Sequence, residues 1–140
     1  GEIVITESMV TSSPELTLLP RDNRDNFMKS ECVDNLFFAG EKAGPLVGHT
    51  EAIATGTLAG YNAVRLLRGK TPEAIPDTLA AGEGIIYSDV QRRLNPSSRF
   101  TFSGGELFEH MKANNLYLTD PEQIYQHVLK QGVLNMFEKI

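Results

Sequence analysis

The stretch NLFFAGEKAGPLVGHTEAIATGTLAG, residues 35–60, decides how this chain is read. Four apolar residues, Leu36 to Ala39, run into a loop that holds Gly40, Gly44, Pro45 and Gly48, and a small-residue segment follows. The apolar run is bounded by Asn35 and Gly40, which predicts a short strand buried on both faces. Thr50 to Leu67 carries the marks of a helix. Thr50 or His49 stands near the N-cap, Glu51 lies in the first turn, Arg65 and Arg68 lie at the end, and Gly69 follows as the stop. Ala52, Gly56 and Gly60 fall on one face at a spacing of four. Glycine inside a helix costs about 1 kcal/mol relative to alanine. Two on one stripe therefore predict a backbone pressed against a sheet or a ligand. A strand that feeds a glycine loop and then a helix N-terminus presents bare N–H groups and a positive dipole end. That suits a phosphate, a carboxylate or a ring oxygen carrying negative charge. The same pattern also serves as a plain tight turn, and the dinucleotide fingerprint G-x-G-x-x-G is absent from the chain.

Outward from this corner the chain is less regular. Residues 2–5 read as a short β-branched strand, and residues 6–34 as a meandering surface segment with one further short strand at Leu16 to Leu19. Lys70 to Pro76 is a linker with two prolines. Asp77 to Leu94 is read as helical, although Gly82 and Gly84 weaken that reading. Residues 95–105 form a turn-rich break with a short strand at Phe100 to Phe102, and Glu106 to Asn114 is helical. The run TDPEQ predicts a helix start with Thr119 as N-cap, Pro121 in the first turn and Glu122 completing a capping box. An apolar stripe of Ile124, Val128 and Leu129 continues, past Gly132, through Leu134 and Phe137.

Composition narrows the function classes. The chain has 140 residues, 41% of them hydrophobic, and a net charge of -5. An acidic balance gives no support to a free-standing nucleic-acid binder. One cysteine, Cys32, excludes an internal disulfide and a cysteine-rich metal site. No run reaches the roughly 18 apolar residues of a membrane span, so no membrane role is expected and the cytoplasm is the expected location. The chain opens on Gly1 with what reads as a strand already in progress. Either a tag was removed or this is a segment of a longer protein.

Residues 35–70 resemble the closing FAD-binding segment of the glucose-inhibited division protein A superfamily. That superfamily includes tRNA uridine-modifying flavoproteins and folate-dependent tRNA uridine methyltransferases. The resemblance is carried by FFAGE (Phe37 to Glu41), VGHTEA (Val47 to Ala52) and ATGTLAGYNA (Ala54 to Ala63). It implies an α/β to α+β fold. Residues 1–70 would be the C-terminal part of a glutathione-reductase-like FAD-binding domain, with few short strands and a glycine-rich helix. Residues 71–140 would be a small, mostly helical appendage. It also implies that Gly40, Glu41, Gly48, His49 and Thr50 lie nearest the cofactor, with the helix N-terminus aimed at the pyrimidine edge of the flavin. Glu41 stands where the uridine-modifying members have glutamine, and His49 where they have tyrosine. The elements that hold the adenosine half of FAD are absent from this sequence. The implied partner is therefore the N-terminal remainder of a parent flavoprotein, with tRNA reached through that parent, and the fragment alone is expected not to hold FAD. A competing reading makes the appendage an interaction or homodimerisation module.

Other residues carry weaker signals. His49, His110 and His127 are too scattered for a metal site. Cys32 lacks the histidine or helix-start setting of a reactive thiol. Arg92, Arg93 and Arg99 are either a phosphate-contacting set or a solvated face. Phe100, Phe102, Phe108, Tyr117, Tyr125 and Phe137 are expected in the core of the C-terminal part.

Overall fold

A computed structural model describes residues 24–140. The strands expected at residues 2–5 and 16–19 lie outside those residues. Four α-helices carry the described fold: α1 (His49–Leu67), α2 (Ala80–Leu94), α3 (Gly105–Ala113) and α4 (Pro121–Lys130). Two 3-10 turns, Gly40–Ala43 and Met136–Glu138, pack on α1, and α2 lies between α1 and α3.

β-structure among the described residues is limited to isolated bridges. Arg24 pairs with Ser30 and Lys29 with Phe37, both antiparallel, and Phe38 N–H donates to Met28 O at 2.8 Å. The expected two-face-buried strand at Leu36 to Ala39 is therefore corrected. It is one limb of a tight meander, with Leu36, Phe37 and Phe38 only partly buried and Ala39 exposed. Among the described residues this tetrapeptide is bonded along one edge, and it lacks the burial of a strand in the interior of a sheet. The strand expected at Phe100 to Phe102 is likewise two single bridges, Leu46 with Phe100 and Thr101 with Gly104.

Helix ends follow local chemistry. α1 closes at Gly69, whose φ of 68° lets Gly69 N–H reach Leu66 O and Lys70 N–H reach Arg65 O, the paired bonds of a Schellman stop. At its start the cap is Gly48 rather than Thr50 or His49, and no side chain caps it. α4 is capped by Asp120, not by the expected Thr119: Asp120 Oδ1 accepts from Gln123 N–H at 2.9 Å, and Pro121 occupies the first helical position. α4 does not run on through Leu134. Gly132 adopts a φ of 71° and ends it, so the apolar pattern beyond belongs to a separate turn.

The core draws on residues from both sides of Gly69. Met28, Leu46 and Leu58 pack with Ile85, Phe100, Leu107, Met111 and Met136. Phe100 alone of the expected aromatic set is buried. Phe102 and Phe108 are partly buried, whereas Tyr117, Tyr125 and Phe137 are exposed. The proline linker is latched rather than loose. Fully buried Asn62 receives Glu73 N–H on its Oδ1 and donates its amide to Glu73 O and Phe27 O, all within 3.0 Å. Arg65 adds bonds to Thr71 O and to the Glu73 carboxylate, which also accepts from the Tyr61 hydroxyl.

The helical glycines differ in what surrounds them. Among the described residues, a Cβ added at Gly56 or Gly60 would meet nothing within 4 Å, so this stripe of α1 is open to them. Gly82 and Gly84 on α2 are the closely packed pair: a Cβ at Gly82 would sit 2.5 Å from Ile75 O, and one at Gly84 would sit 2.5 Å from the Phe102 ring. Gly60→Ala is thus expected to stabilise the 140-residue chain by about 0.5–1 kcal/mol, since alanine is the better helix former and finds room there. A shift of the urea midpoint to higher concentration checks this; a loss of stability would show that something occupies the stripe.

Candidate functional site

The site lies at the front of α1. Gly48 enters with φ 126°, a conformation that side-chain-bearing residues rarely adopt. It also leaves room for Glu51: a Cβ on Gly48 would lie 2.5 Å from Glu51 Oε2. Gly48, His49 and Thr50 are exposed and their N–H groups open the helix, and among the described residues no side chain caps it. Gly40 approaches the same end of α1, 3.8 Å (from an added Cβ) to Ala52 Cβ. Its N–H donates to Thr55 Oγ1 at 3.1 Å, and that hydroxyl in turn donates to Glu51 O at 2.9 Å. Glu41 follows Gly40 in the 3-10 turn. The structure thus brings Gly40, Gly48, His49 and Thr50 to one end of one helix.

What holds this corner in place comes from the second half of the chain. Val47 N–H donates to Phe100 O at 2.9 Å, and Phe100 N–H donates to Pro45 O at 2.8 Å. Glu51 is 4% exposed, and its Oε1 accepts from Phe102 N–H at 2.5 Å. From the sequence Glu51 reads as a first-turn acid that complements the helix dipole. Its burial and its tie to Phe102 are invisible there, because the partner is 51 residues away. The chemical result is specific. The exposed rim of α1 carries the positive end of the dipole, while a carboxylate behind it offsets part of that potential. Such a rim favours an oxygen with partial negative charge over a fully charged phosphate.

A second charged cluster supports the corner from beneath. Arg24 is buried and donates its Nε–H to Ala43 O, with Ile85 O and Asp25 O as further acceptors. Burial lowers its pKa to about 10, partly countered by the field of Asp89, so it remains charged at neutral pH. Asp89 bonds Arg92 at 2.5 Å and Arg93 at 2.9 Å. Burial alone would raise the Asp89 pKa, but hydrogen bonds from Arg92 and Arg93 and the charge of Arg24 bring it below the ordinary value. Arg92 is buried in this cluster and Arg93 also faces Glu31 at 3.7 Å, so these two do not form an open phosphate-binding face.

The remaining candidates are dispersed. His110 pairs with Glu83 at 2.6 Å and lies against the Tyr87 ring, and His127 donates to Thr78 O at 2.7 Å. Cys32 is exposed, and its N–H is bonded to Ser30 Oγ. Among the described residues no group of three or more His, Cys, Asp or Glu side chains is placed to hold a metal ion. None of the described helices is long and apolar enough to cross a membrane. Asn62 and Arg24, which fix the linker and the corner, were not marked by the sequence. The usable signal for Asn62 was a polar residue on the same helix face as Thr55, Leu58 and Ala59.

Part of the chain is similar to known proteins. The family model described as Glucose inhibited division protein A matches residues 14–71. A methylenetetrahydrofolate–tRNA-(uracil-5-)-methyltransferase, TrmFO, of Bacillus cytotoxicus is 49% identical over 54 residues, covering 39% of this chain and 12% of that protein. Its counterpart in Lacticaseibacillus paracasei is 40% identical over 75 residues, covering 46% of this chain and 17% of that protein. The chain therefore spans a small part of the length of these relatives. No solved structure matches. The corner built by Gly40, Gly48 and the front of α1 lies inside the stretch, residues 14–71, that is similar to the Glucose inhibited division protein A family.

Proposed function

We propose that this chain supplies the flavin-facing corner of an FAD-dependent enzyme that modifies uridine in tRNA. The observation that carries the reading is the uncapped, exposed opening of α1 at Gly48, His49 and Thr50, inside the stretch that matches the family. These residues fit the cofactor: a glycine held at positive φ lets a flat ring approach the backbone, and free amides meet an electron-rich edge. In the full protein FAD would supply hydride chemistry. This chain's part is to present the N–H groups of the first turn of α1 and, through Glu51 and Phe102, to keep that turn in position. The relatives' names point to a folate carbon donor and a uracil acceptor in tRNA; the same pair is the proposed chemistry of the parent protein. The open Gly56 and Gly60 stripe suits the same reading, as a surface able to take a sheet at short range. The glutathione-reductase-like arrangement of that sheet belongs to this proposal.

Gly48→Val in the intact protein is the direct test. The branched Cβ would strike Glu51 Oε2 and oppose the φ of 126°. The Kd for FAD, measured by titrating the purified apo variant, is expected to rise at least about tenfold, equivalent to about 1.4 kcal/mol of binding. The 140-residue chain alone is expected to purify colourless. A wild-type intact protein without flavin would overturn the cofactor, and a chain that purifies yellow with stoichiometric flavin would overturn its dependence on a larger parent.

A further inference from the structure

We infer that α4 is a self-association helix, pairing antiparallel with α4 of a second copy of this chain about a two-fold axis near Gln126. None of the ten residues of α4 is buried, although Tyr125 and Leu129 are large and apolar, at 47% and 46% exposure. His127 ties the opposite side of the helix to the body through Thr78 O. Pro121, Tyr125 and Leu129 are four apart and form one row on the free side. Glu122, Gln126 and Lys130 form the adjacent row, all exposed.

Charge complementarity selects the occupant. In an antiparallel two-fold pair, a flanking row meets the same row of the partner running the other way. With Gln126 on the axis, Glu122 of each copy stands opposite Lys130 of the other. The acidic first turn and basic last turn of α4 also place opposite dipole ends side by side. A parallel pair would instead set Glu122 against Glu122 and Lys130 against Lys130. The row of Tyr125 and Leu129 is then covered from both copies. Ten residues per chain give a small interface, below about 1,200 Å², so the dimer is weak and concentration-dependent.

Sedimentation velocity on the 140-residue chain, from about 10 μM to about 1 mM, tests this. Wild type is expected to shift reversibly from monomer to dimer. Leu129→Glu is expected to abolish the dimer while far-UV circular dichroism stays unchanged, since Leu129 lies outside the core. Glu122→Lys and Lys130→Glu are each expected to weaken association about threefold to tenfold across the two symmetric pairs. The double swap is expected to restore it, because the pairing is regained with the signs exchanged. A chain monomeric throughout overturns the inference. So does a dimer that Leu129→Glu leaves intact, or a double swap no tighter than the single changes. If α4 is protected from hydrogen exchange only when the rest of a longer protein is supplied, the second-copy assignment is also overturned.

Discussion

Asp89→Ala is expected to cost about 3–5 kcal/mol, the range for removing one partner from a buried ionic network. Asp89 is the shared carboxylate of this cluster. It bonds Arg92 at 2.5 Å and Arg93 at 2.9 Å, and its field offsets the cost of burying Arg24. Without it, the buried guanidinium groups of Arg24 and Arg92 lose their common counter-charge. The damage would reach the candidate site, because Arg24 holds Ala43 O at the end of the 3-10 turn beside α1. Urea denaturation near neutral pH measures the loss, and a cost below about 1 kcal/mol would remove Asp89 from this role.

The same carboxylate predicts a pH dependence. Its pKa in the fold lies below the ordinary aspartate value, because its arginine bonds outweigh burial. The unfolded chain therefore takes up the proton first as pH falls. The stabilisation is complete well above about pH 4 and is lost below it, as the folded carboxyl also becomes protonated. The stability gap between wild type and Asp89→Asn is expected to narrow as pH drops from about 5 to about 3. A gap that widens on acidification would contradict the sign of the shift.

Gly82→Ala is the second large effect, and it separates local propensity from packing. In an isolated helix the change would be favourable by about 1 kcal/mol. Here the new methyl would run into Pro76 O and lie 2.5 Å from Ile75 O, both backbone atoms of the segment latched to α1 by Asn62. Backbone held from the other side cannot withdraw cheaply, and overpacking costs about 1–3 kcal/mol, at the upper end where backbone is struck. Thermal and urea unfolding are expected to agree on a net loss. A neutral result would mean that residues 75–76 move freely, against the bonds that Asn62 makes.

Several features were legible in the sequence because their causes are local. Gly69 stops α1 through its own φ and the carbonyls one turn back, so the Arg65 to Gly69 pattern was enough. Pro121 and the acids around it announced the start of α4, where the expected cap Thr119 is replaced by Asp120, one residue on, whose side chain reaches Gln123; its end at Gly132 was not expected. The corner itself was also legible: glycines at 40 and 48 between an apolar run and a helix bring the chain to the front of α1 in any compact fold.

What residues contribute across a packing boundary had to come from the tertiary structure. Sequence rules price a helical glycine the same way wherever it falls, so Gly56 and Gly60 on α1 and Gly82 and Gly84 on α2 read alike apart from their spacing. Only the fold sets the Ile75–Pro76 backbone and the Phe102 ring against one pair and, among the described residues, nothing against the other. The same holds for Glu51, whose carboxylate is defined by Phe102 N–H at 51 residues' separation, and for Asn62, defined by Glu73 and Phe27. Caps and stops are set by bonds within one turn, which the chain carries wherever it goes. Close approach and buried polar satisfaction depend on which distant atoms share a volume, and that volume exists only once the core has formed.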